Sequence, residues 1–289
     1  MRVNLYTDAP KHNLALMKIS SWHKANGDEV TLNMPIMPCD YSYASILFEK
    51  NINVFNACEY GGIGYVGRTA HGMAGERVEV GKTLTVAQEG FLPDYSLFNL
   101  DYSLGYTFRP CFRRCDFCKA WKAVHPDAKH HSIYDFHNTQ FSKICLLNNN
   151  TFFDKEWKET FEEIWDAKLT VIDENGYDLR LIDEEKAEAL RKTKFEGRIH
   201  YAWDLMEDEK KILEGLKIAP KGTVYVLVGF TTTEEEDIYR VQKIVDHGFD
   251  PYIMPYNQST QEKDFKRFID TFMWRKYQTI QEAWNKYRP

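Results

Sequence analysis

Apolar and polar positions along this chain follow the periods of a protein that mixes strands and helices. Val3–Tyr6 is short and rich in β-forming residues, and four apolar residues after it keep to one face of a helix. Gly27 stands where the C-terminal cap of that helix belongs, and Val30–Leu32 can form the next strand. The apolar face of the helix consists of Leu14, Met17, Trp22 and Ala25. The start of the chain therefore predicts a small α/β domain.

The pattern from residue 101 onward is more regular. Six β-prone segments alternate with helix-prone stretches of about 10 to 15 residues, which is typical of a parallel sheet or barrel. The predicted strands are Leu104–Phe108, Lys143–Leu147, Leu169–Asp173, Arg198–Trp203, Val224–Phe230 and Pro251–Met254. The predicted helices are Lys155–Ala167, Asp183–Lys194, Glu207–Leu216 and Glu234–His247. Because a complete barrel needs eight such units, six predict a partial barrel.

These patterns divide the chain into four parts. Residues 1–70 are expected to form the small α/β domain, and residues 71–100, which show no clear periodicity, a connecting segment. Residues 101–260 are expected to form the partial barrel, and residues 261–289 a C-terminal helix. The predicted fold class is therefore α/β.

Composition narrows the class of protein further. Hydrophobic residues make up 43% of the chain and aromatic residues 15%, which excludes intrinsic disorder. The longest apolar stretch, Val224–Phe230, is far shorter than the roughly 20 residues of a membrane helix. Met1–Pro10 lacks the pattern of a secretory signal. We therefore expect a cytoplasmic protein with no membrane partner.

Three of the six cysteines fall within eight residues. Cys111, Cys115 and Cys118 have the spacing CxxxCxxC and follow the first predicted barrel strand, whose carboxyl end is where active sites lie. Thiolates suit iron–sulfur clusters or zinc, and three of them leave one iron of a four-iron cluster without a protein ligand. The alternative is a non-catalytic zinc protein, in which the fourth ligand would be His125, His130 or His131.

This motif at the end of a first barrel strand resembles the radical S-adenosylmethionine (radical SAM) superfamily. The resemblance implies a partial (β/α)6 barrel and a [4Fe–4S] cluster held by the three cysteines, with SAM bound to the fourth iron. It also implies that an electron splits SAM into methionine and a 5′-deoxyadenosyl radical, which abstracts hydrogen from a substrate. An external electron donor of the flavodoxin or ferredoxin type is implied as well.

The same resemblance implies where SAM would bind. Phe117 would lie against the adenine, and asparagines would accept hydrogen bonds from the SAM amino group where relatives often carry Gly-Gly-Glu. Capping, surface exposure or core packing is the plain structural interpretation of the later candidates. The candidates for SAM binding are Phe117, Asn148, Asn149, Asn150, Arg180, Trp203, Asp204, Gly229 and Met254.

Residues 1–70 resemble a shortened form of the domain that precedes many cobalamin-dependent radical SAM enzymes. The resemblance rests on Asn13–Met17 and Gly27–Val30. The family's usual lower-ligand motif, Asp-x-His-x-x-Gly, is absent, and this argues against cobalamin. We favour a reduced scaffold that covers the barrel, with Gly61–Gly67 as a flexible or ligand-facing loop. The histidines outside that motif are His12, His23 and His71.

The substrate class stays open between two alternatives. The compact chain and its net charge of −6 favour a small metabolite. The basic residues of the cysteine loop and of the C-terminal segment favour a nucleic-acid base or modified nucleotide. The aromatic residues that support the nucleotide alternative are Phe265, Phe268, Trp274 and Tyr277.

Overall fold

The computed structural model describes residues 1–65, 83–122 and 128–287, and the backbone of residues 70–71 and 77–78. Gly67 and His125, which the sequence predictions include, lie outside the described residues, as does the side chain of His71. Packing divides the chain into two units, Met1–Asn149 and Asn150–Pro289. Among the described residues, no helix combines the length and apolar character needed to cross a bilayer.

The first unit begins with a four-stranded parallel sheet in the order β2-β1-β3-β4. Helix α1 follows β1, and Asn13 caps it by accepting a hydrogen bond from the Leu16 N–H. Gly27, after the helix, has a φ of +81°, a conformation that glycine adopts without a steric penalty. The elements are β1 (Arg2–Thr7), α1 (Leu14–Ala25), β2 (Glu29–Leu32), β3 (Tyr41–Ser45) and β4 (Glu59–Gly61). The predicted strand–helix–strand start is confirmed, while β3 and β4 were not predicted.

The rest of the first unit contains an antiparallel ribbon, a short helix and one pair of parallel strands. An antiparallel ribbon of β5 (Ala70–His71) and β6 (Arg77–Val78) comes first, followed by α2 (Val86–Glu89). Strands β7 (Ser103–Gly105) and β8 (Lys143–Leu146) then pair in parallel. The short helix α2 lies in the segment that the sequence predicted only as a connection.

The second unit contains a parallel sheet in the order β10-β11-β12, covered by helices. Val224, Val226 and Val228 of β11 are buried in its core, as expected for alternate residues of a strand that packs on helices. Its first elements are α3 (Trp157–Asp166), β9 (Thr170–Ile172), α4 (Glu184–Lys192), β10 (His200–Trp203) and α5 (Glu209–Ile218). Those that follow are β11 (Thr223–Val228), α6 (Glu234–Asp246), β12 (Asp250–Pro255), α7 (Thr260–Asp270) and α8 (Ile280–Tyr287).

The predicted alternation after residue 101 is confirmed, because β7 to β12 and α3 to α6 fall on the predicted segments to within a few residues. The sheets are small and parallel, and a closed partial barrel stays a prediction. The prediction of a single C-terminal helix over residues 261–289 is wrong, because two helices are present there. α7 ends at Asp270, Phe272 adopts a φ of +55°, and Thr279 caps a separate α8 by accepting from the Glu282 N–H.

Candidate functional site

The three clustered cysteines lie on one loop after β7. Cys111, Cys115 and Cys118 form no disulfide, and each is half-buried. The Cys118 N–H donates to the Cys115 carbonyl at 3.0 Å, which folds the second half of the motif into a turn. The Ala120 N–H points at the Cys118 Sγ at 3.3 Å, and such hydrogen bonds to sulfur tune iron–sulfur centres. The loop therefore presents three soft ligands from one compact segment.

Asn148 fastens the stem of this cysteine loop. Its Oδ1 accepts from the N–H groups of Thr107 and Phe108, at 2.9 and 3.1 Å, and its Nδ2 donates to the Thr107 hydroxyl oxygen at 2.9 Å. Only 2% of Asn148 is exposed. Asn149 continues the contact, because its Nδ2 donates to the Arg109 carbonyl at 2.6 Å. These two amides, predicted to bind the SAM amino group, hold the backbone that leads into Cys111.

Arg109 is held at its side chain as well. Its guanidinium lies 3.1 Å from the Glu89 carboxylate and 4.8 Å from the centre of the Tyr106 ring. Lys18 contacts the same carboxylate at 2.9 Å. Burial opposes ionisation of Glu89, but Arg109 and Lys18 outweigh it and hold its pKa below the ordinary value. An ionised carboxylate from α2 thus anchors the residue two positions before Cys111.

The remaining candidates of the first unit are less constrained. Phe117, predicted to lie against adenine, is half-buried within the loop. Among the histidines in the zinc alternative, the His131 Nδ1 lies 3.4 Å from the Asp135 carboxylate. The backbone N–H of His131 donates to the Thr107 carbonyl. His130 is half-buried.

In the second unit, Asn150 offers an unsatisfied acceptor. The residue is 7% exposed, and its Nδ2 donates to the Asp178 carboxylate at 3.0 Å. Its Oδ1 is buried and has no hydrogen-bond partner among the described residues. A buried amide oxygen without a donor is costly, so this position suits a ligand that brings an N–H or O–H group.

Arg180, predicted to pair with a carboxylate of SAM or substrate, already has two partners. Its Nε lies 2.7 Å from Asp178, and its Nη1 pairs with Asp208. The two carboxylates raise the pKa of Arg180 although its burial acts in the opposite direction. Arg180 therefore orients two aspartates in this structure.

Trp203 and Asp204 end β10 and differ in their surroundings. Trp203 is fully buried in the core, and its indole N–H donates to the Leu205 carbonyl at 3.1 Å. Its side chain packs in the core, and a contact of Trp203 with SAM stays a prediction. Asp204 is half-buried, and burial raises its pKa to about 6 although Arg180 and Arg240 act to lower it. Such a carboxyl is poised to accept or donate a proton near neutral pH.

The ends of the next two strands carry Gly229 and Met254. Gly229 has a φ of +76°, and a Cβ there would lie 2.4 Å from the Glu262 carboxylate. Its carbonyl accepts from the Asn257 amide. Met254 is 46% exposed, on the face of β12 away from the core. The Glu262 side chain thus fills the space beside Gly229, and a contact of Gly229 or Met254 with SAM stays a prediction.

Arg240 on α6 was not predicted. It is fully buried and donates to the carbonyls of Trp203, Asp204 and Leu227 at 2.7, 3.0 and 2.7 Å. It also pairs with Asp237 one turn earlier, at 2.5 Å. Its signal in the sequence is a charge among the apolar positions of the predicted helix Glu234–His247. Arg240 holds the carboxyl ends of β10 and β11 to the helix behind them.

The carboxyl edge of the first sheet is closed at its centre. Ligands of such sheets bind where the strand order reverses, here between β1 and β3. Asn13 bridges that gap, since its Nδ2 donates to the Thr7 hydroxyl oxygen and the Ser45 carbonyl at 3.1 and 3.2 Å. The Asp8 carboxylate accepts from the N–H groups of Leu47 and Phe48. The exposed apolar residues of the loops after β2 and β3 are Met34, Ile36, Met37, Leu47 and Phe48.

The histidines of this unit have contacts of their own. His23 is buried on α1, with its Nδ1 2.7 Å from Asp28 and its Nε2 3.2 Å from the Tyr43 hydroxyl. His12, in the loop after β1, packs edge-on against the Tyr102 ring. Both ring nitrogens of His23 therefore have partners within the first unit.

Comparison with known proteins gives one informative result. No family model matches the chain, and no curated protein matches its sequence. Among solved structures, the radical S-adenosylmethionine methyltransferase TsrM from Kitasatospora setae, with cobalamin and a [4Fe–4S] cluster bound, superposes with a TM-score of 0.55. The match covers 88% of this chain and 74% of TsrM. The chain therefore shares its fold with TsrM over this match. At 12% identity the likeness concerns the fold, and it agrees with the resemblance drawn from the cysteine motif.

Proposed function

We propose that this protein is a radical SAM enzyme in which Cys111, Cys115 and Cys118 hold a [4Fe–4S] cluster. The observation that supports it is a single loop with three half-buried thiols that form no disulfide, after a parallel strand, in a chain whose fold is similar to that of TsrM. When bound, such a cluster supplies one electron and an iron open to SAM.

The residues around the thiols fit an anionic cluster. The Ala120 N–H is directed at the Cys118 sulfur, and Lys119 follows that cysteine directly. Arg109 stands two residues before Cys111. Backbone donors and nearby cations stabilise thiolates and the negative charge of the cluster.

In the second unit, Asn150 and Asp204 fit the polar groups of SAM. The unpartnered Oδ1 of Asn150 is an acceptor for an ammonium group. Asp204 would accept from hydroxyl groups or exchange a proton with a substrate. Gly229 would let a planar ring approach the backbone once the Glu262 side chain moves aside.

For the substrate we favour a small metabolite over a nucleotide. Phe265, Phe268 and Trp274 are buried in the core of the second unit. Their rings are therefore not exposed for stacking on a nucleotide base. Three of the basic residues near them are paired with aspartates, namely Lys266 with Asp270, Arg267 with Asp264 and Arg275 with Asp250. The electron donor would be a small external protein of the flavodoxin or ferredoxin type.

Cobalamin-dependent methyl transfer is a second candidate function. TsrM binds cobalamin, and exposed apolar side chains of this chain gather on the loops after β2 and β3. Because Asn13 and Asp8 close the gap between β1 and β3, a corrin ring would lie on top of that edge. Cobalt would then accompany iron in the purified protein.

The test is anaerobic purification and reconstitution, followed by iron, sulfide, zinc and cobalt analysis and an assay of SAM cleavage under dithionite. The proposal predicts about four irons per chain and release of 5′-deoxyadenosine. Cys115→Ala should lose both, while Cys39→Ala, at an exposed cysteine of the same unit, should keep them. Stoichiometric zinc without SAM cleavage would instead establish the zinc protein.

A further inference from the structure

Two glutamates from separate segments contact the two ends of the cysteine loop. Glu89 of α2 binds Arg109, two residues before Cys111, through both guanidinium nitrogens at 3.1 and 3.2 Å. Glu49 binds Lys119, the residue after Cys118, at 2.6 Å. The three ligands therefore lie between two ion pairs.

The two ion pairs differ in strength. The side chains of Glu89 and Arg109 are each 24% exposed, whereas those of Glu49 and Lys119 are 39% and 42% exposed. A bidentate pair between arginine and a carboxylate fixes both partners in one plane, while an exposed lysine pair contributes little. Lys18 also holds Glu89, since its Nζ donates to the Glu89 Oε2 at 2.9 Å and to the Glu89 carbonyl at 2.6 Å. Glu89 is thus the rigid anchor of the loop.

Arg109 is fixed at three places. Glu89 holds its guanidinium, the Tyr106 ring packs against it, and Asn149 binds its carbonyl. Pro110, with its restricted φ, links it to Cys111. Movement at Arg109 is therefore transmitted to the first cysteine of the motif.

We propose that Glu89 is a positioning residue for the iron–sulfur site, which fixes Cys111 through Arg109 and sets the charge close to the cluster. This inference rests on the proposed function. The role also accounts for the segment of residues 83–100, which the sequence showed only as a connection. Removal of the negative charge of Glu89 would leave Arg109 and Lys18 uncompensated, and that favours the reduced, more negative cluster.

The test compares Glu89→Gln with Glu49→Gln as a matched control at the exposed pair. In the reconstituted proteins, the ratio of reduced to oxidised cluster at a fixed poise should rise about threefold or more in Glu89→Gln, and less than about twofold in Glu49→Gln, where solvent and salt screen the charge. Glu89→Asp keeps the charge and should return the ratio to within about twofold of wild type. Equal ratios in Glu89→Gln and wild type would overturn the inference.

A second readout does not depend on the cluster. In the metal-free proteins, the rate at which a thiol reagent labels Cys111, followed by peptide mass spectrometry, should rise in Glu89→Gln relative to Glu49→Gln. Unchanged labelling would refute the positioning role, even if Glu89→Gln fails to take up iron. Wild-type protein that holds no iron cluster would instead refute the proposed function and this inference with it.

Discussion

Replacement of Arg240 gives the sharpest test of how the second unit is held together. The arginine is fully buried on α6 and binds the carbonyls of Trp203, Asp204 and Leu227. It also neutralises Asp237 at 2.5 Å. Arg240→Met keeps much of the apolar stem but removes every one of these donors.

The expected cost follows from what is left behind. Loss of one partner from a buried ion pair costs about 3–5 kcal/mol, because the other charge stays in the interior without compensation. The carbonyls that lose their hydrogen bond to Arg240 increase this cost where water cannot reach them. We therefore expect Arg240→Met to lower the free energy of unfolding by at least about 3 kcal/mol. Arg240→Lys should lose about 2 kcal/mol, since an ammonium cannot reproduce the planar donor set.

The cost should also depend on pH. Burial already raises the pKa of Asp237, while Arg240 lowers it. Without the arginine this folded-state pKa rises further, so the folded variant binds a proton that the unfolded chain has released. The destabilisation is then largest above that pKa and shrinks as the pH falls towards the unfolded-state value. Arg240→Met should accordingly cost more at pH 8 than at pH 5.

The assay is urea denaturation followed by circular dichroism and tryptophan fluorescence, at both pH values. Arg267→Met is the control, because the Arg267 side chain is 69% exposed and pairs with Asp264 on the surface. It should change the free energy of unfolding by no more than about 1 kcal/mol. A cost below about 1 kcal/mol for Arg240→Met, or an equal cost for both variants, would refute the reasoning.

Three further changes test single residues of the site. Gly229→Ala should destabilise the protein by about 1–3 kcal/mol more than Gly27→Ala in thermal unfolding, because both have a positive φ but only Gly229 meets a side chain; equal costs would contradict this. Asp204→Asn should stabilise by about 1–2 kcal/mol at pH 8 and by nearly nothing at pH 4, since the raised pKa penalises only the ionised carboxyl; a gain independent of pH would rule out that cause. Asn148→Ala loses three buried hydrogen bonds, so the reconstituted variant should release iron faster than wild type when it is diluted into a chelator. Iron release at the wild-type rate would show that Asn148 does not stabilise the cysteine loop.

The regular part of the fold could be predicted because local signals there agree with one another. Val224–Phe230 combines β-branched residues with a following capping sequence, and the structure has β11 and α6 at that place. Three threonines followed by acidic residues come after β11, and Thr233 with Glu236 forms a capping box that fixes where α6 begins. Hydrophobic periodicity and capping residues depend only on neighbouring positions in the chain, so these elements can be predicted from a single sequence.

Elements that depend on distant partners were missed. Strand β3, Tyr41–Ser45, alternates tyrosine with serine or alanine rather than apolar with polar residues, so the usual strand signal is weak, and β1 and β4 pair with it on both sides. Phe272 ends the predicted C-terminal helix through a left-handed conformation that no local residue signal announces. Tertiary packing decides both cases.

The sequence could predict the cysteine loop of the candidate site, but fewer of the residues that support it. The spacing of the cysteines pointed to this loop, because three thiols lie within eight residues of one another. Asn148 and Trp203 show the limit, because a position at a strand end does not tell whether the side chain faces a ligand or the protein. Glu89 and Arg240 act on residues more than ten positions away, and only the folded chain brings them there.

The most direct test of the central claim is electron paramagnetic resonance of the dithionite-reduced, reconstituted protein with and without SAM. If Cys111, Cys115 and Cys118 hold the cluster and leave one iron open, we expect the signal of a reduced [4Fe–4S] cluster that changes shape when SAM is added, because SAM would bind that iron. A cluster signal that SAM does not alter would contradict the open iron. No cluster signal, with one zinc per chain, would contradict the account as a whole.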